Sequence, residues 1–426
     1  MRSRWTILAA LFVARAAIAF QFQSVAAIAP QLSQSLGASL ADIGILIGLY
    51  FAPGAVLALP GGAIGRRYGD KVTVLAGLLM MLAGELLMTT STSWSVQIVG
   101  RPTAGIGGVL LNVLMTKMVA DWFAGREIAT AMAIFINSWP VGIAVALMLL
   151  PAVGATLGLH AVNLAVAGMI LIGLGLIALV YRAPDATVAV EGERGSLTAD
   201  TICAVIAAGL IWCLYNIGFA MIFSFGPSML VEHGWSSAAA GSTISIVLWI
   251  AALSVPFGGF LADRTRRGEA ILVTGCVAFA LLTLLLSRSG TVLPIVVALG
   301  ILCGLPAGAI MSLPARVLDQ KMRPIGMGLF YTVFYAGMLA GPAIGGKLST
   351  SFRSASTALD FGAVALLACP DRPVALSPYR CQPASAGRFS HLVATPAFHE
   401  RGDSGVALGR EVPSLTLSNE KNRSRT

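Results

Sequence analysis

The chain has 426 residues, of which 57% are hydrophobic and 11% charged, and its mean hydropathy is +0.84. A charged fraction under half the usual ~25% leaves too little polar surface to keep a chain of this length dissolved, which excludes soluble enzymes, secreted scaffolds and disordered proteins. The formal net charge is +9, but the basic residues sit at the edges of apolar runs and in the C-terminal tail rather than in one patch, so nucleic acid is excluded as a partner.

A helix needs about 20 apolar residues to cross the ~30 Å hydrocarbon core of a bilayer. Twelve such runs are predicted in chain order: Trp5 to Ile28, Ile43 to Ile64, Val72 to Thr90, Val96 to Met118, Ile128 to Leu150, His160 to Val180, Thr201 to Met221, Ala239 to Leu261, Ala270 to Leu286, Leu293 to Leu313, Met327 to Gly345 and Ser354 to Cys369. The first follows Arg2 and Arg4 as a signal peptide would. It is read as a retained span because it is long, carries Arg15 and runs directly into another apolar stretch. The twelfth is cut to 16 residues by Pro370-Asp371-Arg372-Pro373 and holds Asp360. That is below the usual ~17–25 residues, as a truncated or frame-altered end would give.

Between Arg182 and Asp200 the chain turns polar, with Pro184, Asp185, Glu191, Gly192, Glu193 and Arg194. The expected fold class is therefore an all-α membrane protein of six plus six helices. Residues 1–182 form the first bundle, 183–198 a cytoplasmic linker, 199–369 the second bundle, and 370–426 a disordered tail carrying eight Lys or Arg. Positive loop residues stay on the cytoplasmic side during insertion. Alternate loops counted from the N-terminus hold fifteen Lys or Arg and the other set holds three, which predicts a cytoplasmic N-terminus in a cytoplasmic (inner) membrane. The six cysteines lie mostly inside apolar runs without metal-type spacing, so they are read as packing residues. No metal and no cofactor is expected.

The two halves echo each other. Gly62-Ala-Ile-Gly-Arg66-Arg67-Tyr-Gly-Asp70-Lys71 and Gly259-Phe-Leu-Ala-Asp263-Arg264-Thr-Arg266-Arg267-Gly268 each close the second span of their half, the kind of internal repeat that secondary transporters carry. The second copy resembles the Gly-x-Leu-Ala-Asp-Arg signature of the major facilitator superfamily; the first departs from it, with Arg66 at the aspartate position and Asp70 four residues later. Arg101-Pro-Thr-Ala-Gly105-Ile-Gly107-Gly108 is similar to the family's Arg-x-x-x-Gly-x-Gly pattern in the fourth helix. Gly337-Met-Leu-Ala-Gly341-Pro342-Ala-Ile-Gly345-Gly346 resembles a pattern its antiporters carry in helix 5; here it lies in the symmetry-related span, so antiport is not inferred. The resemblance covers residues 1 to about 369. It implies alternating access, a cavity lined by spans 1, 4, 7 and 10, and a gating role for Gly62, Arg66, Arg67, Asp70, Gly259, Asp263, Arg264 and Arg267.

An ionised side chain at the bilayer centre is costly, so one found there usually faces a water-filled pathway. Arg15 lies ten residues into the first span, about 15 Å deep at 1.5 Å per residue. Its packing alternative is an arginine bonded to helix carbonyls. Gln23 falls near the same face. Arg101, Gly105, Gly108 and Asn112 recur at helical spacing along the fourth span, and Glu85 of the third span lies at the depth of Arg101, so one reading pairs the two and the other gives Arg101 a substrate or proton role. Asn137 beside Pro140, the Trp212-Tyr215-Asn216 face, and Tyr331 with Tyr335 reach similar depth; such stripes often serve packing alone.

Two arginines against one buried carboxylate leave a positive balance, and a guanidinium suits carboxylate-like oxygens. The predicted partners are a small anionic solute, the lipid bilayer and a coupled proton at Glu85. The Arg15 helix, the fourth-span stripe and the Trp212-x-x-Tyr215-Asn216 face look similar to the cyanate and nitroimidazole permease branch of the superfamily. Export of amphipathic drugs, or a non-transporting membrane sensor or remnant, is the alternative. No nucleophile, base or metal set converges, so no enzyme is expected. Gly341-x-x-x-x-Gly346-Lys347 lacks the Ser or Thr of a phosphate loop, and Arg401-Gly402-Asp403-Ser404-Gly405 is read as chance.

Overall fold

The computed structural model describes residues 4–58, 60–91, 93–123, 127–183, 198–265, 267–318 and 323–369, and its elements are helices throughout. They are α1 (Arg4–Ala27), α2 (Ala29–Leu36), α3 (Leu40–Leu49), α4 (Gly54–Leu57), α5 (Gly61–Tyr68), α6 (Asp70–Thr90), α7 (Trp94–Phe123), α8 (Ile128–Ile136) and α9 (Ser138–Val180). After the expected linker follow α10 (Ala199–Glu232), α11 (Ser237–Thr265), α12 (Gly268–Leu286), α13 (Val292–Cys303), α14 (Leu305–Met311), α15 (Leu313–Val317), α16 (Arg323–Phe352) and α17 (Ser356–Leu367). Residues 184–197 and 370–426, where the linker and the tail were expected, lie outside the described residues.

Ten helical stretches among the described residues are long and apolar enough to cross a membrane. One of them holds two spans, because Gly158 inside α9 turns the chain at φ 81°, a left-handed conformation that a glycine adopts without cost. With the short α17 this makes the twelve passages expected from the sequence. Large apolar side chains face outward, Leu253 at 78% and Leu179 at 75% exposure, as a lipid-facing exterior requires.

Two predicted spans are not continuous. The second breaks after Leu49, where Pro53 lacks an amide for the ladder, and again before Gly61. The tenth breaks at Gly304 and Ser312, ahead of Pro306 and Pro314. Asp360, odd inside a twelfth span by sequence, is explained by its depth: it lies near the start of α17 and takes Arg288 NH1 and NH2 at 2.8 and 3.2 Å. The Glu232 carboxylate accepts the Ala355 amide at that helix start, an acid at the end where free amides point.

The contacts between residues 4–183 and residues 198–369 that fix the site lie from mid-bundle to the end away from the N-terminus. There α3 lies against α16. A side chain on Gly44 would strike the Pro342 carbonyl, and one on Gly48 the Leu339 carbonyl, so these backbones approach as closely as small residues allow. The Ala41 amide donates to Thr350 Oγ1 at 2.9 Å, and Gln23 Nε2 donates to the Phe223 carbonyl at 2.7 Å.

Gly48→Leu should therefore force α3 from α16 and destabilise the protein by about 1–3 kcal/mol, the usual cost of overpacking. The control Gly168→Leu, at a position with nothing within 4 Å, should leave the melting temperature of detergent-purified protein unchanged. Equal melting of the two variants would refute the close contact.

Candidate functional site

Pro140 has no amide, so the carbonyl four residues earlier, Ile136, loses its ladder donor and the helix parts between α8 and α9. Arg15 of α1 takes up that place. Its NH1 donates to Ile136 O at 3.0 Å, to Phe135 O at 3.1 Å and to Ser138 Oγ at 3.2 Å, and its Nε donates to Asn112 Oδ1 at 3.1 Å. The guanidinium also lies over the rings of Phe135 (4.8 Å) and Trp139 (5.8 Å). The packing alternative for Arg15 is thus part of the answer, yet the residue is only half-buried, and its NH2 makes no hydrogen bond among the described residues. No described carboxylate forms a salt bridge with it.

Asn112 passes the connection on, its Nδ2 donating to Tyr335 Oη at 3.2 Å, and Tyr331 and Tyr335 both lie within electrostatic reach of Arg15. Four of the expected residues therefore meet, Arg15, Asn112, Tyr331 and Tyr335, and Asn137 lies at the helix break between the Ile136 and Ser138 that Arg15 holds. Around them runs a wall of rings. Trp139 contacts Phe22 at 5.8 Å and Phe51 at 6.5 Å, Phe51 contacts Phe334 at 6.1 Å and Tyr335 at 5.9 Å, and Phe334 contacts Trp212 at 6.3 Å. Trp212 is half-buried, and its Nε1 is sealed from solvent without an acceptor.

Other expected residues have different surroundings. Arg101 is 0% exposed and donates to three carbonyls, Leu46 at 3.1 Å, Gln21 at 3.1 Å and Phe22 at 2.9 Å, with its guanidinium over the Tyr50 ring at 5.0 Å. It ties α1 and α3 to α7. The expected ion pair with Glu85 does not form. Glu85 Oε2 instead accepts from Gln21 Nε2 at 2.9 Å, and its Oε1 meets no donor. The Gly105 and Gly108 part of the α7 stripe faces Tyr50, the residue after α3, rather than open space, since a side chain at either would strike it.

Gln23 is fully buried at Phe223, whose carbonyl Pro227 deprives of its amide four residues on. Its Oε1 has no partner. Tyr215, 2% exposed, donates to the Cys303 carbonyl at 2.8 Å at the break of the tenth span, where the Ala307 amide turns to Gly304 O. Asn216 bonds back to Trp212 O of its own helix at 2.7 Å.

Of the expected gating residues, Asp70 accepts from Lys117 Nζ at 2.5 Å, which also reaches Asp121 at 2.9 Å. Arg67 lies over the Tyr68 ring, and Gly259 packs beside Gly308. Arg264 and Arg267 are exposed. Beyond their backbone, Gly62, Arg66 and Asp263 lie outside the described residues.

Sequence reasoning missed Ser138, Phe135, Phe51 and Tyr50. The readable signal for the first two was Pro140, whose orphaned acceptor called for a donor at the same depth.

If Arg15 substitutes for the amide that Pro140 lacks, Pro140→Ala should relieve part of its loss. A hydrogen bond to a charged group is worth about 1.5–3 kcal/mol, so Arg15→Ala should cost about 1 kcal/mol less in a Pro140→Ala background. Melting of the wild type, both single variants and the double variant measures this; strictly additive losses would refute the substitution.

The model of the Major Facilitator Superfamily matches residues 11–212 and 208–378. The inner membrane transport protein YajR of Escherichia coli (strain K12) is 25% identical over 329 residues, covering 74% of this chain and 71% of that protein. The hexuronate transporter of Bacillus subtilis (strain 168) is 23% identical over 356 residues, covering 75% and 81%. A solved bacterial homolog to the human lysosomal transporter Spinster, in an inward-facing and occupied conformation, superposes with a TM-score of 0.71 at 16% identity, over 89% of this chain and 97% of that one. Fold, apolar helices and family match agree: the chain is a multi-pass membrane transporter of small solutes, not an enzyme, and it belongs to the Major Facilitator Superfamily.

Proposed function

We propose that the protein moves a small anion across a cytoplasmic membrane by alternating access, with Arg15 as the group that meets the anion and the N-terminus in the cytoplasm. Charge balance carries this reading. Arg101 spends its donors on three carbonyls with Glu85 nearby, whereas Arg15 is half-buried at mid-depth with a free edge and no described carboxylate. An uncompensated cation in a low-dielectric interior favours an anionic visitor. A relative named for hexuronate, itself an anion, supports it.

The orientation rests on the fifteen-to-three division of loop Lys and Arg. The hydrogen bonds Gln23–Phe223 and Ala41–Thr350 hold the end away from the N-terminus shut, so the conformation described is open toward the cytoplasm in this reading. The loops around Arg67 and Asp70, and around Asp263 and Arg264, close that end in the opposite state. A coupled proton is assigned to Glu85, whose buried Oε1 has no donor.

Two measurements test this. A ligand that binds only the folded state raises its apparent stability, by about 2.7 kcal/mol at one hundred times its Kd. Small anions at millimolar concentration should raise the melting temperature of the wild type and not that of Arg15→Gln. Stabilisation by lipophilic cations alone would establish the drug-export alternative instead. In proteoliposomes, Glu85→Gln should abolish uptake driven by a pH gradient and leave anion exchange intact; gradient-driven uptake at the wild-type rate would remove the proton from Glu85.

A further inference from the structure

We infer that the anion is an aromatic monoanion, a flat ring bearing one carboxylate-like group. This rests on the anion reading above and narrows it. Three features of the site point to it.

The first is the count of donors left over. Arg15 spends Nε on Asn112 and NH1 on Phe135, Ile136 and Ser138, so it offers the visitor one nitrogen, NH2. The paired, two-nitrogen grip by which arginine usually holds a carboxylate is therefore unavailable. The remaining donors beside it are phenols: Tyr335 Oη receives its hydrogen bond from Asn112 and keeps its own proton to give, and Tyr331 lies within electrostatic reach. The one cation balances a single negative charge, and the two hydroxyls add only neutral hydrogen bonds. A dianion would leave its second charge without a counterpart.

The second is the wall. From the guanidinium outward the site passes Trp139, Phe51, Phe334 and Trp212, each ring within 6.5 Å of the next. Trp139, Phe334, Tyr331 and Trp212 are half-buried rather than sealed in packing. An inorganic ion gains nothing from such surfaces, since dehydrating it against apolar rings is unfavourable. A flat ring gains both area and the offset or edge-to-face contacts that aromatic pairs prefer.

The third is the Trp212 Nε1–H, buried without an acceptor at the end of that wall. A tryptophan serving packing alone finds an acceptor for its N–H. This one keeps an unspent donor at the end of the ring wall away from Arg15.

The test is a binding series on purified full-length protein with benzoate, cyclohexanecarboxylate, acetate, nitrate and benzylammonium. Benzoate should bind at least tenfold tighter than acetate or nitrate and about threefold tighter than cyclohexanecarboxylate. Phe334→Leu should narrow the advantage of benzoate over acetate severalfold. Equal affinity for benzoate, acetate and nitrate would overturn the aromatic class and leave the anion reading standing. Preference for benzylammonium over every anion would overturn the anion reading itself. An advantage of benzoate that survives intact in both Phe334→Leu and Trp139→Leu would place the ring elsewhere and overturn the site. The ranking on the wild type decides the substrate class even where a variant does not fold.

Discussion

Inside a bilayer a backbone carbonyl that has lost its amide cannot turn to bulk water, and leaving it bare costs several kcal/mol. Three carbonyls are left so, two at helix breaks and one at Pro227 inside the unbroken α10, and each is met by a long polar side chain of another helix: Arg15 at Ile136, Tyr215 at Cys303, Gln23 at Phe223. Breaks and side chains are matched in depth. The unusual polar residues of an otherwise apolar chain are therefore first the partners of its irregular backbone. Any second role must be built from the donors and acceptors that remain.

That accounting separates two arginines that look alike in sequence. Arg101 is fully enclosed, and its three carbonyls and the Tyr50 face give it the surroundings of a structural clamp. Arg15 has more partners, yet they gather on one side of the guanidinium, two rings hold it by their faces, and one nitrogen stays open. A group held so firmly would not have to reorganise for the proposed anion, which is how a buried charge keeps its attraction in a medium of low dielectric.

Much of the fold was legible because bilayer thickness imposes span length. The twelve passages and the shortened last helix could be counted, and the depth of Arg15 followed from its place in the first run. What a one-dimensional reading could not supply was partnership. Arg101 and Glu85 share a depth, and the expectation that they pair ignored Gln21, whose amide reaches the carboxylate while its own backbone carbonyl holds the guanidinium. Gln23 and Tyr215 share helix faces with open positions, but a proline or a glycine two hundred or ninety residues away in the chain decides what they touch. Pro140 and Pro227 were visible; the rule connecting each to its orphaned carbonyl, and then to a donor at that depth, was the step that sequence spacing alone did not force.

Among the described residues, three hydrogen bonds, Gln23–Phe223, Ala41–Thr350 and Asn112–Tyr335, run between residues 4–183 and residues 198–369. At a net ~0.5–1.5 kcal/mol each, they favour the state shown by a few kcal/mol. Taking a population from 1:99 to 99:1 requires about 5.5 kcal/mol, so a bias of this size lies within what one ligand's unequal affinity for two states can reverse. The unpartnered Oε1 of Gln23 acts in the same direction, because a latch that leaves a buried acceptor bare is weaker than one fully bonded. Asn112 sits at the junction, bonded to Arg15 through one atom of its amide and to Tyr335 through the other. In the proposed function, an anion arriving at Arg15 would therefore perturb a bond that spans both sets of helices without needing any relay beyond a single side chain.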